Sequence, residues 1–150
     1  MKRVCVFLYM LPLLSIMAAC EEESLGDNFN FDQKVAAYVA FNSTAAVNVK
    51  EGEDVTFSFE VRTAMQQDIT ITYVVSGDFD IDEQSVVLPR NSMSVSTTLS
   101  IPEGTIVEPA TTATATVSLL KAVTSDGREL SIGRLNDPET QKKVLNITLP

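Results

Sequence analysis

Between Asp54 and Arg62 the chain alternates without a break: Val55, Phe57, Phe59 and Val61 at one parity, Thr56, Ser58, Glu60 and Arg62 at the other. A side-chain period of two marks an extended strand with one buried face. A helix would divide those four apolar residues between opposite sides. The same period returns along the chain. Ile69, Ile71, Tyr73 and Val75 form one inner face, with Thr70 and Thr72 outside. Val95, Leu99 and Ile101 follow, then Ala113, Ala115, Val117 and Leu119, and last Leu145, Ile147 and Leu149.

Turn residues separate these runs: Lys50-Glu51-Gly52-Glu53, Gln66-Gln67-Asp68, Ser76-Gly77-Asp78, Pro89-Arg90-Asn91-Ser92, Pro102-Glu103-Gly104 and Ser125-Asp126-Gly127. Val35 to Phe41 and Thr44 to Val49 read as short extended pieces, and Glu129 to Leu135 as a weak one. Short strands with turns at about 8–12-residue spacing predict an all-β fold: a single immunoglobulin-like antiparallel β-sandwich of about seven strands. An up-and-down barrel is the structural alternative. Small Ala113 and Ala115 let two sheets approach, while Phe57 and Phe59 fill the opposite side.

The N-terminus follows another rule. Lys2-Arg3 precede an apolar run from Val4 to Met17, and Met17-Ala18-Ala19-Cys20 ends it. A basic start, an apolar core and small residues before the cut make an export signal. The run is shorter than a membrane-spanning helix needs, and Pro12 interrupts it. The pattern resembles the lipobox of bacterial lipoproteins, which implies removal of residues 1–19 and acylation of Cys20. Glu21, Glu22 and Glu23 follow at once. This acidic run resembles the export signal of surface lipoproteins in the Bacteroidetes, which implies an outer-membrane, lipid-anchored protein on the cell surface; the periplasmic face is the alternative. Residues 20–34 then read as the lipidated cysteine and an acidic tether, reaching roughly 45–50 Å when extended.

Loss of Lys2 and Arg3 with the leader leaves nine basic residues against 20 acidic ones, a balance of −11. Nucleic-acid phosphates repel such a chain. Of the two cysteines, Cys5 leaves with the leader and Cys20 is acylated, so the mature domain is held by its core alone. The chain has no histidine, which excludes Ser-His-Asp and Cys-His nucleophilic arrangements and His-bearing zinc sites. A non-catalytic module is expected.

From Val47 onward the order of features resembles a Calx-beta domain. Val49-Lys50-Glu51-Gly52 leads into the Thr56 to Val61 strand, then Thr70 to Tyr73, then Asp78 to Ile101, then Thr116 to Leu119 and Leu130 to Gly133. The resemblance makes residues 35–150 a Calx-beta-like β-sandwich. It implies a calcium site at one end, with Glu51, Asp78, Asp80 and Asp82 as the candidate ligands. The family's terminal run of aspartates is absent, because the chain ends Thr148-Leu149-Pro150.

Asp78-Phe79-Asp80-Ile81-Asp82-Glu83 is the most charged stretch of the domain. In an extended strand its three aspartates share one face. Two readings stand: a calcium ion offsetting their repulsion, or a solvated edge that discourages sheet-to-sheet association. As an EF-hand loop the stretch fails, with Glu83 at the glycine position and Pro89 at the twelfth. The chain has no Trp, so a glycan platform would rest on Tyr38, Tyr73, Phe29, Phe31 and Phe79. The expected role is protein contact or adhesion in the cell envelope, through an envelope protein partner. The alternatives are a calcium-binding structural module and a glycan-binding accessory protein of polysaccharide uptake.

Overall fold

The structure, a computed structural model, describes residues 36–150. The leader, Cys20, Glu21, Glu22, Glu23, the tether, Phe29 and Phe31 lie outside the described residues. Among the latter the strands are β1 (Tyr38–Phe41), β2 (Val47–Lys50), β3 (Asp54–Val61), β4 (Ile69–Gly77), β5 (Ile81–Leu88), β6 (Ser94–Ser100), β7 (Thr112–Thr124), β8 (Glu129–Ile132) and β9 (Lys142–Thr148). The only helical pieces among them are two 3-10 turns, Arg134–Asn136 and Pro138–Gln141.

One layer pairs β1, β3 and β6; the other runs β5, β4, β7, β9, β2. Strand β8 joins them, lying antiparallel to β7 and parallel to β1. The all-β sandwich is as the alternation predicts, but there are nine strands rather than about seven. The sheets are also mixed, because β2 runs parallel to β9. The second difference comes from one event. The first strand leaves the first layer after Phe41 and resumes in the second layer at Val47, so one run of chain supplies a strand to each layer.

Parity places the core. Val55, Phe57, Phe59 and Val61 are buried, as are Ile69, Ile71, Tyr73 and Val75, and Ala113, Ala115, Val117 and Leu119. Phe59 has no exposed surface. Its ring lies 4.9 Å from Phe41, 5.6 Å from Phe57 and 5.5 Å from Tyr73. Phe41, Phe57 and Phe59 come from one layer and Tyr73 from the other, so aromatic packing closes the sandwich. Each ring buried there contributes about 1.5–3 kcal/mol. Tyr73 Oη meets Thr97 Oγ1 at 3.4 Å, which gives its hydroxyl a partner inside.

On the outer face of the first layer, cross-strand hydroxyls pair. Thr56 meets Thr98 at 3.2 Å and Ser58 meets Ser96 at 2.8 Å, while Ser100 donates to Asp54. Gly77 closes β4 with φ +145, and a Cβ there would stand 2.5 Å from the Thr114 carbonyl oxygen. Only glycine allows β4 to end so close to β7.

Candidate functional site

The turns at Glu51–Glu53 and Asp78–Asp80 and the long segment from Ile101 to Ala110 gather at one end of the sandwich. Glu51 Oε1 accepts a hydrogen bond from the Ile106 backbone N–H at 3.0 Å. Asp78 Oδ2 accepts from Thr114 N–H at 2.6 Å, and Thr114 C=O accepts from Asp78 N–H at 2.9 Å. Asp80 Oδ1 accepts from Gly77 N–H at 3.3 Å. Asp82 lies within β5 and is exposed.

The aspartates do not share one face of a strand. The chain bends at Asp78 and Phe79, and β5 begins only at Ile81. Gly77, with its positive φ, turns Asp78 back toward β7, so backbone N–H groups take up the carboxylates. Phe79 packs against the core.

Calcium takes six to eight oxygens. Among the described residues, no three His, Cys, Asp or Glu side chains come together to hold a metal ion. Glu51, Asp78 and Asp80 are engaged with separate N–H groups, and the arrangement does not fit a calcium cage. It acts as a clamp: Glu51 bonds to Ile106 and Asp78 to Thr114, and Asp78 and Ile106 line a shallow pocket of about 250 Å³ together with Thr105, Val107 and Ala110.

At the opposite end, a groove of about 450 Å³ is lined by Ala64, Met65, Gln66, Gln67, Asp126 and Arg128. Thr124 Oγ1 donates to Asp126, and Gln67 Nε2 donates to it at 3.0 Å. These bonds, the Thr124 one first, hold the exposed Asp126 carboxyl below the usual carboxylate range. The bond from Gln67 also ties the β3–β4 loop to the β7–β8 turn.

A third feature was not singled out by sequence reading. Lys143 is only 6% exposed. Its Nζ donates to the Ser43 carbonyl at 2.9 Å and to the Ala45 carbonyl at 2.8 Å. Burial pushes the ammonium below its usual pKa. The lysine fastens the segment in which the chain changes sheets, and it lines a small pocket of about 180 Å³ with Asn42, Ser43, Val47, Thr56, Phe57 and Ser58. The signal was present: Lys143 shares the parity of Leu145 and Ile147, which face inward.

Among the described residues one ion pair forms, Arg134 Nη2 to Glu60 Oε1 at 2.7 Å, with Arg134 also donating to the Asn42 carbonyl at 3.2 Å. Of the aromatic candidates for stacking, Tyr73 is 4% exposed and belongs to the core. No helix among the described residues is long and apolar enough to cross a membrane.

No family model matches the chain, and no curated protein matches it. Solved structures do. The apo-form of the Calx CBD1 domain superposes with a TM-score of 0.57 at 8% identity, over 77% of this chain and 98% of that one. CBD12 from CALX1.2 superposes with a TM-score of 0.55 at 11% identity, over 73% of this chain and 43% of that one. At such identities the likeness is one of fold, and the chain carries a β-sandwich of Calx-beta architecture.

Proposed function

We propose that the chain is a cell-surface lipoprotein, acylated on Cys20 and held at the outer membrane, whose sandwich serves as a non-catalytic module for protein contact. The observation that carries this reading is Met17-Ala18-Ala19-Cys20 followed by Glu21-Glu22-Glu23, set before a β-sandwich that contains no cysteine. Anchoring confines the module to a surface and raises its effective concentration near membrane partners. Three acyl chains, as lipoproteins of this kind carry, exceed the two signals that stable anchoring requires.

The contact role draws support from how the domain is built. Loops at both ends are fixed by side chain-to-backbone bonds, so surfaces are presented in a set shape and little ordering entropy is lost on binding. The calcium reading draws on the likeness to Calx domains, but the clamp occupies two of its best ligands, Glu51 and Asp78. The glycan reading loses Tyr73 to the core, and Phe79 packs against that core.

Protease treatment of intact cells tests the placement. Surface display requires the sandwich to be digested in the wild type and Cys20→Ala protein to leave the membrane fraction. Full protection of the wild type would put the domain on the periplasmic face.

A further inference from the structure

Where the chain changes sheets it leaves a gap. Pairing of β1 with β3 ends at Phe41 opposite Phe59, and the last bond is Asn42 N–H to the Ser58 carbonyl at 3.0 Å. Strand β3 continues toward Asp54 with β6 on one side only. In an antiparallel strand, alternate residues direct both main-chain groups to the same neighbour. Val61 and Glu53 bond to the β6 side, through Met93 and Ile101, while Ser58 bonds to the β1 side. Thr56, at the parity of Ser58, therefore turns its N–H and C=O into the gap. Among the described residues no backbone bond joins Thr56 to the crossing segment.

Lys143 lines this gap together with Thr56 and Ser58. An ammonium has three donors, and two are used on Ser43 and Ala45. The third has no partner among the described residues, and no carboxylate there pairs with this buried cation. A buried charge without a counter-ion is costly. The volume, about 180 Å³, is below the roughly 300–1,000 Å³ of a typical small-molecule pocket. It suits one end of a chain.

We propose that this notch is a binding site for the carboxylate end of an extended peptide segment from a partner protein. The segment would add main-chain hydrogen bonds to Thr56, as strands do at an open sheet edge, and place its carboxylate against the third N–H of Lys143. The apolar wall of Val47 and Phe57 would receive one side chain. This gives the protein-contact reading a location and a chemistry. Its test uses purified protein, so its failure would leave the anchoring untouched.

The test is a titration of ¹⁵N-labelled full-length protein in detergent with acetyl-Thr-Val-Thr-Val bearing a free C-terminal carboxylate, with the C-terminal amide of the same peptide, and with sodium acetate. The acid should shift the amides of Asn42, Thr56 and Ser58 and slow exchange of the Thr56 N–H. The amide should bind at least tenfold more weakly, and acetate should not protect Thr56. Thr56→Pro removes the notch-facing N–H and leaves the backbone bonds to β6 in place, with Thr56→Val as the control for the lost Thr98 hydroxyl contact. Thr56→Pro should weaken the acid at least tenfold and Thr56→Val should not. Lys143→Met should erase the preference for acid over amide. Equal binding of acid and amide, shifts centred elsewhere, or protection of Thr56 by acetate alone would overturn the assignment. The comparison of acid with amide on the wild type requires no variant to fold.

Discussion

Replacing Glu51 by alanine tests whether the loop end of the sandwich is held by carboxylates rather than metal. In the wild type its Oε1 accepts from Ile106 N–H, and Ile106 is 9% exposed. Removing the acceptor deletes a charge-assisted bond and strands a buried donor, which costs about 1.5–3 kcal/mol. Glu51→Gln keeps an acceptor oxygen and loses only the charge, for about half that cost. With a urea slope of about 2 kcal/mol per molar, the alanine midpoint should fall by about 1 M and the glutamine midpoint by about half as much. Amide exchange supplies the local reading: Ile106 N–H should lose protection in the alanine variant. Millimolar calcium should leave the wild-type midpoint unchanged, whereas a ligand at 100 times its Kd adds about 2.7 kcal/mol. An unchanged midpoint in Glu51→Ala, with Ile106 still protected, would refute the clamp. A rise with calcium that Glu51→Ala abolishes would replace it with a metal site.

Other outcomes follow from the same structure. Phe59→Ala removes the ring shared by Phe41, Phe57 and Tyr73 and should cost about 3–5 kcal/mol in denaturant unfolding. Gly77→Ala forces a Cβ to within 2.5 Å of the Thr114 carbonyl oxygen; the variant should melt lower than wild type and lose protection at Asp78 N–H. Burial lowers the Lys143 pKa below 10.5, so between its folded value and 10.5 the unfolded chain binds more protons and stability rises with pH. Lys143→Met should remove that alkaline increment from the difference between variant and wild-type unfolding curves.

The inner faces were legible because alternation is local. Val55 to Val61, Ile69 to Val75 and Ala113 to Leu119 are buried at the parity the sequence shows. Strand partners were not legible, since pairing is decided between distant segments; nothing local distinguishes β1 beside β8 from β1 beside another strand. The change of sheet at Asn42 reads in sequence only as a polar interruption before Val47. Parity also reached further than charge suggested. Lys143 is inside because two carbonyls of the crossing segment accept its ammonium, while Leu149, at the same parity, is 48% exposed because β9 ends at Thr148. At Asp78 the turn was legible, but the close approach of Gly77 to β7, which sends the Asp78 carboxylate to the Thr114 N–H, was not. A glycine next to an aspartate marks a turn, but not which N–H groups the carboxylate will find.

The proposed role rests on Cys20, and intact mass spectrometry of the mature protein from native membranes tests it most directly. The account predicts a chain beginning at Cys20 and heavier than its amino acids by acyl groups, which shifts to the aqueous fraction as Cys20→Ala. A mature chain that starts elsewhere, or one that carries no added mass and is extracted by water, would contradict it.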